Sequence, residues 1–310
     1  MQIDLIKDNY LRGSGNGPTW HVDVDPPKRK VGTYFEETLL ATEYVCANKE
    51  GELYLLFSGG LDSQYVFNVL IHLGIEFTPV IIRLKGSYYY MDYNFHETKM
   101  AFEKCRDHHI EPMVVQFDFD DFVRSGEICS IAEECRIGSY MIPATMKVAE
   151  QLGKSGGFVL MGNDPPYMKY NKERDIWQLE ELETIHSILN FFRIRQVPGC
   201  PFLPSYTAEM MLAFLLDPTM QDVAAGKYPG KEGTNSTKVH VFNNGSGFNM
   251  QNYDFSDPRK KKFTGYEVIN RVAISLHPHI QKFEKEFRPK WGGIYFEDYD
   301  KVVARLKVHQ

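Results

Sequence analysis

The chain has 310 residues, 43% of them hydrophobic and 14% aromatic, enough for a sizeable core in one large or two smaller domains. Its 35 Lys and Arg stand against 41 Asp and Glu, a net charge of −6, which excludes a global basic field that would draw in nucleic acid. The cysteines Cys46, Cys105, Cys129, Cys135 and Cys200 form no CxxC and no paired spacing. No apolar run approaches the ~20 residues that cross a bilayer, and the N-terminus lacks the apolar stretch of a secretory signal. A reduced, cytoplasmic setting without a membrane is the expectation.

Residues 1–32 mix Gly, Pro, Asp and Lys and read as an N-terminal arm or short hairpin. Phe35, Leu39, Leu40 and Cys46, spaced among Glu36, Glu37 and Glu43, predict an amphipathic helix. Four short apolar runs follow: LYLLF at 53–57, PVIIRL at 79–84, PMVVQFDF at 112–119 and GFVLMG at 157–162. Helical periodicity lies between them, over roughly 63–73, 95–109 and 131–152. Apolar strands alternating with helices predict a doubly wound, parallel α/β domain over 33–165. Over 166–310 the strand pattern fades, and LEELETIHSILNFFRIR and YTAEMMLAFLL predict a mostly helical region. Residues 226–265 are poor in aliphatics and rich in Gly, Asn and Lys, which predicts a long mobile loop suited to act as a lid.

The densest chemistry lies where the first strand meets the next helix, at Ser58-Gly59-Gly60-Leu61-Asp62-Ser63. In an open parallel sheet, ligands bind beyond the carboxyl ends of the strands. Gly59 and Gly60 both permit positive φ and let backbone N–H groups approach an anion with no Cβ in the way. Ser58 and Ser63 add hydroxyl donors, and the helix that follows offers its N-terminal amides. Asp62 repels phosphate unless a cation lies between, which points to a Mg²⁺-bridged polyphosphate. The plain alternative is a Gly-Gly turn with Asp62 as helix N-cap.

This hexapeptide resembles the SGGxDS signature of the N-type ATP pyrophosphatase, or PP-loop, superfamily. The resemblance implies an adenine nucleotide alpha hydrolase-like fold. It also implies cleavage of ATP between the α- and β-phosphates, with a substrate activated as an adenylate. Within the superfamily the chain is most similar to the synthetase domain of asparagine synthetase and its relatives. LLFSGGLDSQ carries that likeness, with weaker support from FVLMGNDPPYMKY at 158–170, VPGCPFLPSYTAEMMLAFLLDP at 197–218 and PRKKKFTGYE at 258–267. The likeness implies pyrophosphate on Ser58, Gly59, Gly60 and Ser63, with Phe57, Leu61 and Arg83 nearby on the nucleotide. It implies Mg²⁺ on Asp62 and Asp164, and charge neutralisation during bond cleavage by Lys260 and Lys261, with Lys262 beside them, or by Arg193 with Arg195. Gln2 stands where relatives with a glutaminase domain carry a nucleophilic cysteine, so the nitrogen donor is expected free or from a partner.

Other clusters leave their alternatives open. Tyr88, Tyr89 and Tyr90 suit stacking on a ring or an interface. Glu97 suits either a substrate contact or the dipole of a helix start. His96, Cys105, His108 and His109 lack a second pair at zinc spacing. Cys129 and Cys135 raise sulfur transfer, but Glu127, Glu133 and Glu134 beside them oppose a thiolate. Arg193 and Arg195, two apart, would share a face on a strand and could clamp a carboxylate.

The expected activity is therefore an AMP- and pyrophosphate-forming ligase or amidotransferase that adenylates a small molecule for attack by a nitrogen nucleophile. An RNA- or base-modifying relative and a non-catalytic ATP-binding module are the alternatives. Self-association is left open.

Overall fold

The computed structural model describes residues 12–14, 21–23, 26–27, 29–88, 90–135, 140–163, 165, 167–171, 173–174, 176–181, 183–227, 234–248, 250, 266–276 and 295–307. The arm contributes β1 (Arg12–Ser14) and β2 (His21–Asp23), an antiparallel pair. Helix α1 (Tyr34–Ala47) starts at a capping box, in which the Thr33 hydroxyl accepts from the Glu36 amide and the Glu36 carboxylate accepts from Thr33 N–H. Then follow β3 (Glu52–Leu56), α2 (Leu61–His72), β4 (Thr78–Lys85), α3 (Phe95–Asp107), β5 (Met113–Asp118), α4 (Phe119–Arg124), α5 (Glu127–Cys135), α6 (Met141–Lys154) and β6 (Gly157–Met161). The remainder comprises β7 (Tyr167–Asn171), β8 (Ile176–Glu181), α7 (Glu183–Ile194), β9 (Gly199–Cys200), α8 (Ala208–Leu216), α9 (Pro218–Ala224), α10 (Thr234–Asn243), α11 (Tyr266–Leu276), β10 (Tyr295–Asp298) and α12 (Tyr299–Leu306).

The main sheet has the order β5-β4-β3-β6-β9 and every pairing is parallel. The α/β class is thus as the alternation of apolar runs predicts. β3 and β6, paired from Glu52↔Gly157 to Leu56↔Met161, lie at the centre, and Leu53, Leu55, Phe158, Val159 and Leu160 are buried. These two central strands are buried on both faces, so neither needs polar alternation, while the edge strand β5 is largely exposed. The strand order reverses between β3 and β6: the chain moves outward from β3 through β4 to β5, then crosses back to β6. That reversal leaves a crevice at the carboxyl ends of β3 and β6, where open α/β sheets bind ligands. The loop after β3 opens there.

The C-terminal half is mostly helical, with two features that the sequence pattern does not announce. β10, β8 and β7 form a separate antiparallel sheet, and β9 extends the parallel sheet by a two-residue strand. The second correction concerns the expected loop at 226–265. Its centre, 234–243, is helix α10, docked through Thr237, Lys238, Val239, Val241 and Phe242, all buried. Phe242 stacks on Tyr65 of α2 at 4.2 Å, and Tyr65 stacks on Tyr34 of α1 at 5.7 Å, so the late helix is part of the core. Residues 228–233, 249 and 251–265 of that stretch lie outside the described residues. Among the described residues no helix is long and apolar enough to cross a membrane.

Candidate active site

The loop is built from β3 outward. Phe57 N–H donates to the Val80 carbonyl at 2.8 Å, extending the β3–β4 pairing by one residue. Phe57 itself is buried, stacks on Phe67 at 4.9 Å and lines the cavity beside the loop. The chain then turns at Gly59, whose φ of +71° is the left-handed region that favours glycine. A Cβ there would also lie 2.6 Å from the Ala101 backbone nitrogen. Gly60 differs from the expectation: it is extended at φ −73° and ψ 164° and serves as the N-cap of α2, without a side chain to fill the cap. One left-handed glycine makes this turn; the second leaves the helix end uncovered by a capping side chain.

The side chains converge on the turn. Ser58 Oγ lies 3.3 Å from Ser63 Oγ and accepts from Gly60 N–H at 3.2 Å, while Ser63 Oγ donates to the Gly60 carbonyl at 3.0 Å. Gln64, which the sequence reading passed over, donates its amide to the Gly59 carbonyl at 2.8 Å and so fixes the peptide that follows the left-handed turn. Gly162, at the end of β6, closes the cradle from the other side of the crevice. A Cβ there would lie 2.6 Å from both N and Cα of Ser63.

Asp62 points to a finding the sequence did not suggest. Its Oδ2 accepts from Lys238 Nζ at 2.8 Å, with the lysine side chain 5% exposed and the aspartate 19%. A buried lysine of α10 thus supplies a cation beside this carboxylate. Arg83, expected near the nucleotide, closes β4 but is bonded to Asp92 at 2.6 Å, as is Lys85. Burial alone would raise the Asp92 carboxyl; Lys85 and Arg83 outweigh it and hold it below the usual carboxylate range. Leu61 is a buried core residue. Arg193 sits exposed on the last turn of α7, and Arg195, just past its end, pairs with Glu134 and with Glu150. They are not on a strand, the two do not face each other as a clamp, and neither lines the crevice. Lys260, Lys261, Lys262 and Asp164 lie outside the described residues.

A cavity of about 420 Å³ opens beside the loop. Ser58, Ser63, Gly162 and Asn163 line one end, and Val80, Ile82, Leu84, Met161, Ile188 and Phe202 supply apolar walls. Asn94 ties the start of α3 to this rim: its Oδ1 accepts from Leu84 N–H at 3.0 Å and its Nδ2 donates to the Ile82 carbonyl at 2.8 Å. An anion-binding turn at one end of an apolar chamber fits a molecule with a phosphate chain and a flat or aliphatic body.

No family model matches the chain, and no curated protein matches it. Among solved structures, the chain is similar to NMN synthetase from Francisella tularensis over 68% of this chain and 90% of that one, at 13% identity and a TM-score of 0.32. It is also similar to a predicted subunit of tRNA methyltransferase from Methanocaldococcus jannaschii over 52% of this chain and 73% of that one, at 17% identity and a TM-score of 0.32. At these values neither likeness bears on the chemistry, which rests on the residues of the site.

The fit of the expected groups can be tested on those residues. Gly59 and Gly162 leave no room for a side chain at the turn, and the Ser58 and Ser63 hydroxyls and the uncapped helix end at Gly60 lie beside it, as a polyphosphate needs. Among the described residues no three His, Cys, Asp or Glu come together to hold a metal. A Mg²⁺ ion needs few protein ligands when phosphate and water supply the rest, so Asp62 alone is compatible with one.

The cysteines fit no nucleophilic role. Burial pushes Cys46 up to about 11 and Cys105, Cys135 and Cys200 up to about 12, and it raises Cys129, with Glu133 adding to the effect. A thiol held protonated is a poor attacking group.

Proposed function

We propose that the protein is an ATP-using ligase of the PP-loop type, which splits ATP into AMP and pyrophosphate while activating a small molecule as an adenylate. The observation that carries this reading is the Ser58–Ser63 turn at the β3/β6 reversal of a parallel sheet, with Gly59 left-handed, Ser58 and Ser63 face to face and Gly162 packed on the loop. In this reading the two hydroxyls and the first amides of α2 receive the pyrophosphate portion. They are set before the ligand arrives, so little reorganisation opposes charge build-up as the bridge breaks. Lys238 then has two partners within reach, Asp62 and the phosphate, and it neutralises the loop in either state. Mg²⁺, held by Asp62 with Asp164, would supply charge neutralisation on the phosphates. Lys260 and Lys261 remain proposals for the same task.

The resemblance of LLFSGGLDSQ to the asparagine synthetase relatives supports the finer reading, attack on the adenylate by a nitrogen nucleophile. The protonated cysteines speak against the persulfide route of base-modifying relatives. The test is incubation with ATP labelled on the α-phosphate, Mg²⁺ and a pooled metabolite extract. AMP and pyrophosphate from the wild type but not from Asp62→Asn is the expected result. ADP and phosphate would overturn the assignment, and intact bound ATP under every extract would mark a non-catalytic nucleotide-binding module.

A further inference from the structure

The loop from Gly86 to Asn94, which joins β4 to α3, is held firmly at its base. Tyr93 N–H donates to the Leu84 carbonyl at 2.9 Å, and Leu84 N–H donates to Asn94 Oδ1 at 3.0 Å. Asp120, buried at the start of α4, accepts from Ser87 N–H, Ser87 Oγ and Tyr93 Oη. Tyr93 Oη in turn accepts from Tyr88 N–H at 3.0 Å. Gly86 lies so close to this knot that a Cβ there would stand 2.0 Å from Tyr93 Oη. Arg83 and Lys85 fasten Asp92 from the strand.

The tip is bare. Tyr90 is 95% exposed, Tyr88 56%, and Met91 and Phe95 39% each. Tyr89 lies outside the described residues. Four of the ten large hydrophobic side chains that stand exposed among the described residues thus fall within positions 88–95. Exposed hydrophobics scattered singly are ordinary, whereas such a gathering marks a contact surface. A loop already fixed in place also loses little entropy when a partner covers it.

The chemistry of the tip limits the partner. Ligand sites enclose most of a small molecule, and Tyr90 at 95% exposure has no neighbouring wall to complete a pocket. A nucleic acid is held by several cations along its backbone. Around this loop three cations, Arg83, Lys85 and Arg124, stand against two carboxylates, Asp92 and Asp120, which leaves too little surplus charge. A nearly neutral surface of Tyr, Phe and Met suits another protein surface. A tyrosine offers about 150–250 Å², so the four side chains leave roughly 450 Å² uncovered. Two such surfaces across a two-fold axis bury about 900 Å², and a polar rim brings that to the ~1,200 Å² of a specific interface. An isologous contact needs a surface complementary to itself, and aromatic rings pack on their own kind.

We propose that the loop bearing Tyr88, Tyr90 and Met91, with Phe95 at the start of α3, is the interface of a two-fold homodimer. The loop runs between Leu84 and Asn94, which both line the cavity, so the second copy rests on the segment that joins two parts of its wall. The contact is independent of what the cavity holds.

The test is sedimentation velocity of the full chain across about 1–100 μM, the span around a micromolar dissociation constant. A species of twice the chain mass is expected. Tyr90→Asp, which sets two carboxylates against each other across the axis, is expected to weaken the dimer at least about 30-fold, the loss at an interface hot spot. Leu40→Ser, which removes a 51% exposed hydrophobic from α1, is expected to leave it unchanged. A monomer at every concentration overturns the proposal and leaves the loop to a different partner. So does a dimer that survives Tyr90→Asp or that Leu40→Ser dissolves. A ladder of larger species overturns it too, because it reports a head-to-tail contact that does not close. Should Tyr90→Asp fail to fold, Tyr90→Ser, which removes the ring and adds no charge, is read by the same criteria.

Discussion

Lys238→Met is the perturbation with the most definite arithmetic. Methionine keeps the length and apolar stem of the lysine and removes its charge, so the packing of α10 changes little. What changes is Asp62, left with its carboxylate in the loop and its partner 2.8 Å away abolished. Breaking a buried pair by removing one member costs about 3–5 kcal/mol. Because the Asp62 side chain keeps 19% of its exposure, water recovers part of that, and the low end, about 3 kcal/mol, is expected. Asp62→Asn takes this carboxylate away from the more deeply buried lysine and is expected to cost a similar amount, about 3 kcal/mol. The double variant removes both charges and should fall short of the summed single costs by about 2–3 kcal/mol. Urea unfolding followed by circular dichroism gives the three values by linear extrapolation. Additivity to within about 0.5 kcal/mol would refute the pair and, with it, the role given to α10.

Three further outcomes are expected. Gly59→Ala forces a Cβ into the left-handed region at φ +71° and against the Ala101 backbone, so it should cost at least about 1–3 kcal/mol and abolish binding of α,β-methylene-ATP; retained binding in a titration would contradict the cradle. The thiols, pushed up by burial to about 11 at Cys46 and about 12 at Cys105, Cys135 and Cys200, should react slowly with a disulfide reagent at pH 8 in the native protein and rapidly in denaturant. Fast reaction of the native thiols would reopen the sulfur-transfer reading. Asp120 accepts from Ser87 N–H, Ser87 Oγ and Tyr93 Oη at 2.6–2.8 Å. Burial alone would raise its pKa, but Ser87 and Tyr93, with Arg124, outweigh it and hold the carboxyl below the usual carboxylate range. Its stabilisation is therefore complete above the unfolded carboxylate value and fades as pH falls below about 4. Asp120→Asn should flatten that acid limb in a stability-against-pH series, and an unchanged limb would count against the network.

The parallel sheet and the position of the loop were legible because burial on both faces writes itself as short apolar runs, and because Gly-Gly between hydroxyls has few structural uses. The partner of Asp62 was not legible. Lys238 lies 176 positions downstream, in TNSTKVHVFN, where no helical stripe of apolar residues singles out a buried face. Thr237, Lys238 and Val239 are buried in succession because α10 is packed on several sides, and a lysine in a Gly- and Asn-rich stretch reads as solvated. The partner of Arg83 was equally hidden: Asp92, nine residues on and past the end of the strand, holds its guanidinium. Strand β10 escaped notice because its pairing with β8 joins residues more than a hundred positions apart.

The link between Asp62 and Lys238 also bears on the order in which the chain is made. On a ribosome, β3, α2 and the phosphate turn emerge long before α10 exists, with Tyr65 and the loop carboxylate still awaiting Phe242 and Lys238. An N-terminal half released early would present an aromatic face and a half-formed turn, the kind of intermediate that aggregates or recruits chaperones. Nucleotide affinity should therefore appear late in synthesis, as one event with the docking of the C-terminal helices, and a fragment ending after β6 should hold the strands of the crevice without its chemistry.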